Sequence, residues 1–254
     1  MTPSLKHRFR LSGLHLLWSL ALAALVALLV FGIWFPAPFR ELSGGRQLFG
    51  ILVAVDVMLG PCATFVISRL GKSQREWRMD VSLVVLLQAL ALGYGVWTMY
   101  QARPVYLAFE IDRLRVIHAV DVPPQLLSAA PASWRQLPMT GPGLVAVRPF
   151  RDEQERMDAT LAAIQGVHLG ARPDLWMSYA DAVPQILNEA RQIDHLVQRK
   201  PETRFMVNEL ASRLGVEPKA FRYLPLAGRG TTFWTAVIDA NTGLPLAYWP
   251  VDPD

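Results

Sequence analysis

Three long apolar runs fill the first hundred residues of the chain, at about 11–35, 48–68 and 81–100. A helix needs roughly 20 residues to cross the hydrocarbon of a bilayer, and each run reaches that length. A signal peptide is the rival interpretation of the first run, but its apolar part would be only about 7–15 residues long. The first run is longer and ends in the bulky Trp34, Phe35 and Pro36. The pattern therefore predicts three transmembrane helices, the first a retained signal anchor.

From residue 101 to residue 254 the apolar runs are shorter, and the segment has the length of one domain. Strands are predicted at 105–111 and 115–120, joined as a hairpin, and a proline-rich loop at 123–149. Helices are predicted at 152–165, 178–199 and 202–214, and further strands at 221–226, 231–238 and 244–251. Strands, then helices, then strands predict a small α+β domain. The predicted division is a membrane domain at 1–100 and an α+β domain at 101–254.

The charge distribution agrees with a membrane protein. Only 18% of the residues are charged, against about 25% in soluble domains. Residues 1–100 hold nine Lys and Arg against four Asp and Glu, and residues 101–254 hold sixteen against seventeen. Because the basic excess flanks apolar runs, it indicates membrane orientation and argues against nucleic-acid binding.

Basic residues favour the cytoplasmic side of a membrane. Three of them precede the first run and four lie at 69–80, whereas the loop at 36–46 has two arginines. We therefore expect a cytoplasmic N-terminus and a C-terminal domain on the outer side. Trp97, Tyr100 and Tyr106 would then lie near the outer interface, where aromatic rings are enriched.

Few residues suggest catalysis or metal binding. The single cysteine, Cys62, excludes an intrachain disulfide and any CxxC site. The five histidines form no metal-ligating spacing, and no GxSxG, P-loop or GxGxxG motif is present. We expect no metal, no cofactor and no catalytic residue.

The second run carries the most informative polar residue, Asp56. A carboxylate inside a membrane helix is a functional hypothesis by default, since it is costly to insert. It is either a contact for a polar or cationic group on another helix, or a structural residue with Gln88 as its partner. Gly60 and Pro61 interrupt the same helix, and the proline leaves carbonyls free, one of which Thr64 could bind. A proline kink is also common without any function.

In the outer domain, charged residues crowd the first hairpin: Glu110, Asp112, Arg113 and Arg115. Such alternation is most simply a solvated face. The aromatic residues near the end of the chain are more typical of a core than of a ligand platform; they are Phe233, Trp234, Tyr248 and Trp249.

Three segments resemble one family: FGIWFPAPFRELSGG, ILVAVDVMLGPCATFVI and GVWTMYQARPVYLAFEIDRLRVIHA. They are similar to the type IV pilin accessory proteins of bacteria, the TfpX/TfpZ family, over the three spans and the first hairpin. The resemblance implies a multi-pass inner-membrane protein with a periplasmic domain, required for efficient assembly of its cognate major pilin. It implies no enzymatic activity. Before assembly, such a pilin is a single membrane helix, with a charged amino terminus and a buried glutamate, carrying a periplasmic head.

The resulting hypothesis is a non-enzymatic chaperone or assembly factor of the inner membrane. Its partners would be the cognate major pilin, the lipid bilayer and other pilus assembly machinery. Contacts to the client helix are expected from Asp56, Gly60, Pro61, Thr64 and Gln88. Contacts to the pilin head are expected from Tyr106, Glu110, Asp112 and Arg113, in the hairpin. The alternatives are a membrane-anchored sensor or scaffold and, with fewer residues to support it, an enzyme acting on the pilin.

Overall fold

Three long apolar helices dominate the first part of the computed structural model, which describes residues 3–68, 73–230 and 233–254. The chain divides into two units, Met1–Arg103 and Pro104–Asp254. By length and composition, three helices of the first unit could cross a membrane: Leu5–Trp34, Gly45–Ile67 and Gln74–Gln101. The prediction of three such helices is confirmed, and their insertion into a membrane remains a prediction.

Two of these helices contain a π-helical turn. The first consists of α1, Pro3–Leu29, followed by the π-helical turn Val30–Trp34. After the short helix α2, Phe39–Leu42, the second long helix consists of α3, the π-helical turn and α4. Their bounds are Gly45–Ala54, Val55–Leu59 and Gly60–Ile67.

The third long helix, α5, spans Gln74–Gln101 and begins earlier than predicted. Ser73 caps it, because its hydroxyl accepts from the N–H of Glu76 at 3.2 Å and the Glu76 carboxylate accepts from the N–H of Ser73 at 2.9 Å. This capping box extends the helix over charged residues that precede the apolar run. Arg69 and Lys72, two of the basic residues in the predicted inner loop, lie outside the described residues.

The three helices pack through one apolar cluster where the first and third helices converge. Val30, Trp34, Phe35 and Met99 are buried there, and the rings of Trp34 and Tyr100 are 5.5 Å apart. The second helix packs against both others. We call this first part of the chain the helical unit.

A mixed β-sheet organises residues 104–254, which we call the sheet domain. Its described strands are β1 Pro104–Glu110, β2 Arg113–His118, β3 Gly143–Val147, β4 Trp176–Ser178, β5 Arg191–Gln192, β6 Phe221–Ala227, β7 Phe233–Asp239 and β8 Pro245–Trp249. The strand order is β4-β3-β1-β2-β6-β7-β8, and β5 also pairs with β6. Parallel pairing joins β1 to β3 and β2 to β6, whereas the other pairs are antiparallel.

Five described α-helices accompany the sheet: α6 Pro124–Leu127, α7 Glu153–Ile164, α8 Val183–Glu189, α9 Ile193–Arg199 and α10 Thr203–Leu214. One core cluster packs α9 and α10 on β6 and β7, around Leu196, Leu210 and Tyr223. A second surrounds β1, with Val105, Ala108, Val145 and Trp176 buried in it.

Two predictions for the sheet domain are wrong in detail. The predicted loop at 123–149 contains β3, which is stabilised by parallel pairing with β1. The predicted helix at 178–199 is interrupted, because Ala190 is extended and Arg191–Gln192 pair with β6. The first hairpin is confirmed, and so are the strands β7 and β8 near the end of the chain. Residues 231 and 232 of the predicted strand at 231–238 lie outside the described residues.

Candidate functional site

Asp56 lies near the middle of the 23-residue apolar helix Gly45–Ile67, within its π-helical turn. The residue is 7% exposed. Its Oδ1 atom is buried and has no hydrogen-bond partner among the described residues. Buried polar atoms are nearly always paired, so an unpaired carboxylate oxygen requires an explanation.

The main-chain carbonyl of Asp56 does have a partner. Pro61 has no N–H, so it cannot bond to the carbonyls four and five residues before it, and the latter belongs to Asp56. Gln88 of α5 donates to that carbonyl from Nε2, at 3.2 Å. Gln88 is thus a partner of the Asp56 backbone, whereas we had considered it as a partner of the side chain.

Gly60 allows this close approach of the second and third helices. A Cβ atom at Gly60 would lie 2.1 Å from Nε2 of Gln88, well inside contact distance. The π-helical turn, Gly60 and Pro61 therefore act together: they leave the carbonyl of Asp56 without a partner in its own helix and let Gln88 come close enough to bind it.

The first helix contacts the other side of this interruption through polar groups. Nδ1 of His15 is 2.6 Å from Oγ1 of Thr64, and Ser12 donates to the carbonyl of Pro61 at 2.8 Å. Thr64 therefore bonds to His15 of the first helix. The sequence had suggested a different partner for it, a carbonyl freed by the proline. These contacts tie α1 to α4 just beside Asp56.

A lateral groove opens between the first and third helices, with a cavity volume of about 500 Å³. Asp56 and Gln88 lie along it, together with residues of the first helix that include His15, Trp18, Ser19 and Leu22. A second cavity of about 250 Å³ lies between the second and third helices, and Asp56 lines it too. Apart from Asp56, Gln88, His15 and Ser19, the residues lining the groove are apolar.

The structure brings together all five residues of the predicted client-helix site. Asp56, Gly60, Pro61 and Thr64 follow one another along the second helix, and Gln88 of the third helix contacts Asp56 and lies beside Gly60. Sequence reasoning missed Trp18 and Ser19 of the first helix. The signal for Trp18 was present, since it is an indole inside an apolar run, seven residues after the run begins.

Two of the four residues predicted to contact a pilin head are buried in the sheet domain. Tyr106 is 6% exposed and its ring lies 4.7 Å from that of Trp176, and burial raises its pKa. Glu110, also 6% exposed, pairs with Arg115 and accepts from the N–H of Gly170 at 2.8 Å. Glu110 is therefore part of the core, and the solvated-face interpretation is wrong for it.

Asp112 and Arg113 remain accessible at the turn of the hairpin. Nε of Arg113 donates to Asp112 at 2.8 Å, and this hydrogen bond raises the pKa of Arg113 although partial burial opposes the shift. Ile111 precedes them with a left-handed backbone (φ 57°) and is 66% exposed. Of the four residues predicted to contact the pilin head, only Asp112 and Arg113 are therefore accessible for such a contact. That contact remains a prediction.

The described residues contain no group of three or more histidine, cysteine and acidic side chains that could hold a metal ion. Nδ1 of His118 lies 2.9 Å from Oδ2 of Asp121. Although burial acts to raise the pKa of Asp121, its contacts with His118 lower it. Nε2 of His118 is buried and has no partner in the described part of the chain, so no nucleophile is bonded to this pair there.

These observations define a class: a chain with three apolar helices, a polar interruption in the second of them, and a mixed-sheet domain. Because relatives at 32% identity match it over 95% of its length, the chain belongs to the fimbrial assembly protein family. The family model named Fimbrial assembly protein FimB matches residues 3–44.

Relatives from Dichelobacter nodosus match the chain over much more of its length. The fimbrial assembly protein of serogroup I is 32% identical over 95% of this chain and 96% of its own, and that of serogroup E1 is 32% identical over 95% and 96%. The protein of serogroups C1 and C2 is 39% identical over 46% of this chain and 92% of its own. No solved structure matches the chain.

Proposed function

We propose that this protein is a non-enzymatic accessory protein of type IV pilus assembly, similar to the TfpX/TfpZ proteins. It holds the transmembrane helix of its cognate major pilin in the inner membrane until the pilin is assembled. The observation that carries the proposal is the unpaired carboxylate of Asp56 beside a lateral groove. Lipid tails offer a carboxylate no hydrogen bond, so a polar group on a protein segment that enters the groove would be a favourable partner for Asp56.

The names of the relatives support a role in assembly rather than catalysis. They are also named by serogroup, which fits a protein matched to a client that differs between strains. Pairing between an accessory protein and one cognate pilin would account for that naming.

The proposed topology places the N-terminus in the cytoplasm and the sheet domain in the periplasm. The accessible turn at Asp112 and Arg113 would then be on the same side of the membrane as the head of the pilin. Alkaline phosphatase fusions test this topology: a fusion after residue 254 is expected to be active, and one within residues 69–80 inactive. The reverse result would contradict the proposed topology.

A deletion with complementation tests the function. Surface pili and total cellular pilin are measured in the same cells, since lost pili with pilin still present indicate an assembly defect. A fall in both would narrow the role to stabilisation of the pilin. Unchanged pili and unchanged pilin would refute the proposal and favour a sensor or scaffold.

Asp56→Ala tests the site itself. One hydrogen bond between membrane helices contributes about 0.6 kcal/mol on average and up to about 1.7 kcal/mol, so we expect client binding to weaken roughly threefold to twentyfold. Pili should decrease while the abundance of this protein stays normal. Met58→Ala is the matched control, because Met58 lies in the same turn, is 65% exposed and lines neither cavity. If Asp56→Ala lowers the abundance of the protein itself, Asp56 is a structural residue.

A further inference from the structure

Trp18 is an exposed tryptophan inside the first apolar run, which covers about residues 11–35. It lies eight residues after Arg10 and is 75% exposed. Tryptophan is enriched at membrane interfaces, where its N–H can reach water or headgroups. Trp18 is about 12 Å along the helix from Arg10, and no described residue accepts a hydrogen bond from its indole.

Trp18 lines the same groove as Asp56. The indole N–H can only donate a hydrogen bond, whereas an ionised carboxylate can only accept one. Lipid tails satisfy neither group. Trp18 therefore adds an unused donor to a groove that already carries the Asp56 carboxylate, with His15, Ser19 and Gln88 as its other polar lining residues.

We infer that Trp18 and Asp56 together bind a polar side chain of a pilin transmembrane helix seated in this groove. That side chain accepts from Trp18 and donates to Asp56, so it carries a hydroxyl, an amide or a neutral carboxyl group. The inference rests on the proposed function and adds a second binding residue and the chemistry of the group bound.

The lateral opening of the groove supports a helix as its occupant. The first and third helices meet around Trp34 and Met99 but leave about 500 Å³ between them beside Asp56. A segment already in the bilayer can enter such a groove from the side, whereas a water-soluble ligand would have to cross lipid to reach it.

Site-specific photo-crosslinking in cells with the full chain tests the inference. The photoreactive residue p-benzoylphenylalanine replaces Trp18 in one strain and Leu17 in the control. Leu17 is 65% exposed at the same depth but does not line the groove. We expect an adduct with the major pilin, identified with an antibody, that is several-fold more abundant from position 18 than from position 17.

A second measurement removes only the hydrogen-bond donor. The photoreactive residue replaces Val85, on the opposite wall of the groove, in a Trp18→Phe background, which keeps an aromatic ring. Pilin adduct should fall about threefold, the effect of one average interhelical hydrogen bond. Leu17→Phe should leave it unchanged. Combining Trp18→Phe with Asp56→Asn should lose less than the product of the two single effects, because both residues bind the same side chain.

Equal pilin adduct from positions 17 and 18 would overturn the inference, and so would an adduct only with lipid or with a second copy of this chain. If pili still disappear on deletion, the proposed function survives that result. If deletion leaves pili intact and no position yields a pilin adduct, the proposed function fails as well.

Discussion

The buried ion pair between Glu110 and Arg115 should be the interaction on which the sheet domain depends most. Their side chains are 7% and 16% exposed, so water screens the pair little. The second carboxylate oxygen of Glu110 also accepts from the N–H of Gly170. One side chain therefore joins the first hairpin to a segment sixty residues further along the chain.

Glu110→Ala leaves the Arg115 charge and the Gly170 N–H without their partner. Removing one member of a buried pair costs about 3–5 kcal/mol, out of roughly 5–15 kcal/mol for a whole domain. Hydrogen–deuterium exchange of the β1 and β2 amides, in the purified full chain in mild detergent, reports this loss. A loss of about 3 kcal/mol accelerates exchange through unfolding at least a hundredfold, since each 1.4 kcal/mol is a factor of ten.

Two variants make the test specific. Asp112→Ala removes the neighbouring exposed pair, whose side chains are 38% and 35% exposed, and should cost under about 1 kcal/mol. Replacing both Glu110 and Arg115 with Met should restore much of the loss, because no unpaired charge remains. The reasoning is refuted if Glu110→Ala accelerates exchange no more than Asp112→Ala does.

Three further predictions concern stability. Gly60→Ala should lower the melting temperature of the helical unit in detergent, because the alanine methyl group would clash with the side-chain amide of Gln88. Gly50→Ala should leave the melting temperature unchanged, because there is open space around Gly50. Hydrogen bonds from the Arg148 side chain and from the N–H of Arg151 lower the pKa of Glu155 to about 2. The stability from these bonds is therefore complete above pH 4.5 and lost toward pH 2, and Glu155→Gln should flatten that part of a melting-temperature profile. Ile111→Asn should stabilise the sheet domain by about 1 kcal/mol in urea unfolding, because asparagine tolerates a left-handed backbone better than isoleucine.

The sequence predicted best what depends on local composition. The three apolar helices follow from run length alone, and the interruption at Gly60 and Pro61 follows from residue type. The client-helix residues came together because four of them lie along one helix. Only Gln88 had to be supplied by another helix.

What the sequence could not predict depends on distant partners. β3 forms within a proline-rich segment because β1 offers it a parallel neighbour. Glu110 is buried because Arg115 and a later loop satisfy it, and hydrophobic patterning gives no sign of that loop. Trp18 and Asp56 share a groove only once the first and second helices have packed together.

The interrupted second helix is a poor solution for stability alone. An uninterrupted helix would satisfy the carbonyl of Asp56 within its own backbone and would not need Gln88 or a glycine at position 60. An apolar residue at position 56 would leave no oxygen unpaired. Natural sequences tend to break such local rules at functional sites, and here three breaks coincide within six residues beside an open groove. Their coincidence supports a binding site more strongly than any of the three residues does separately.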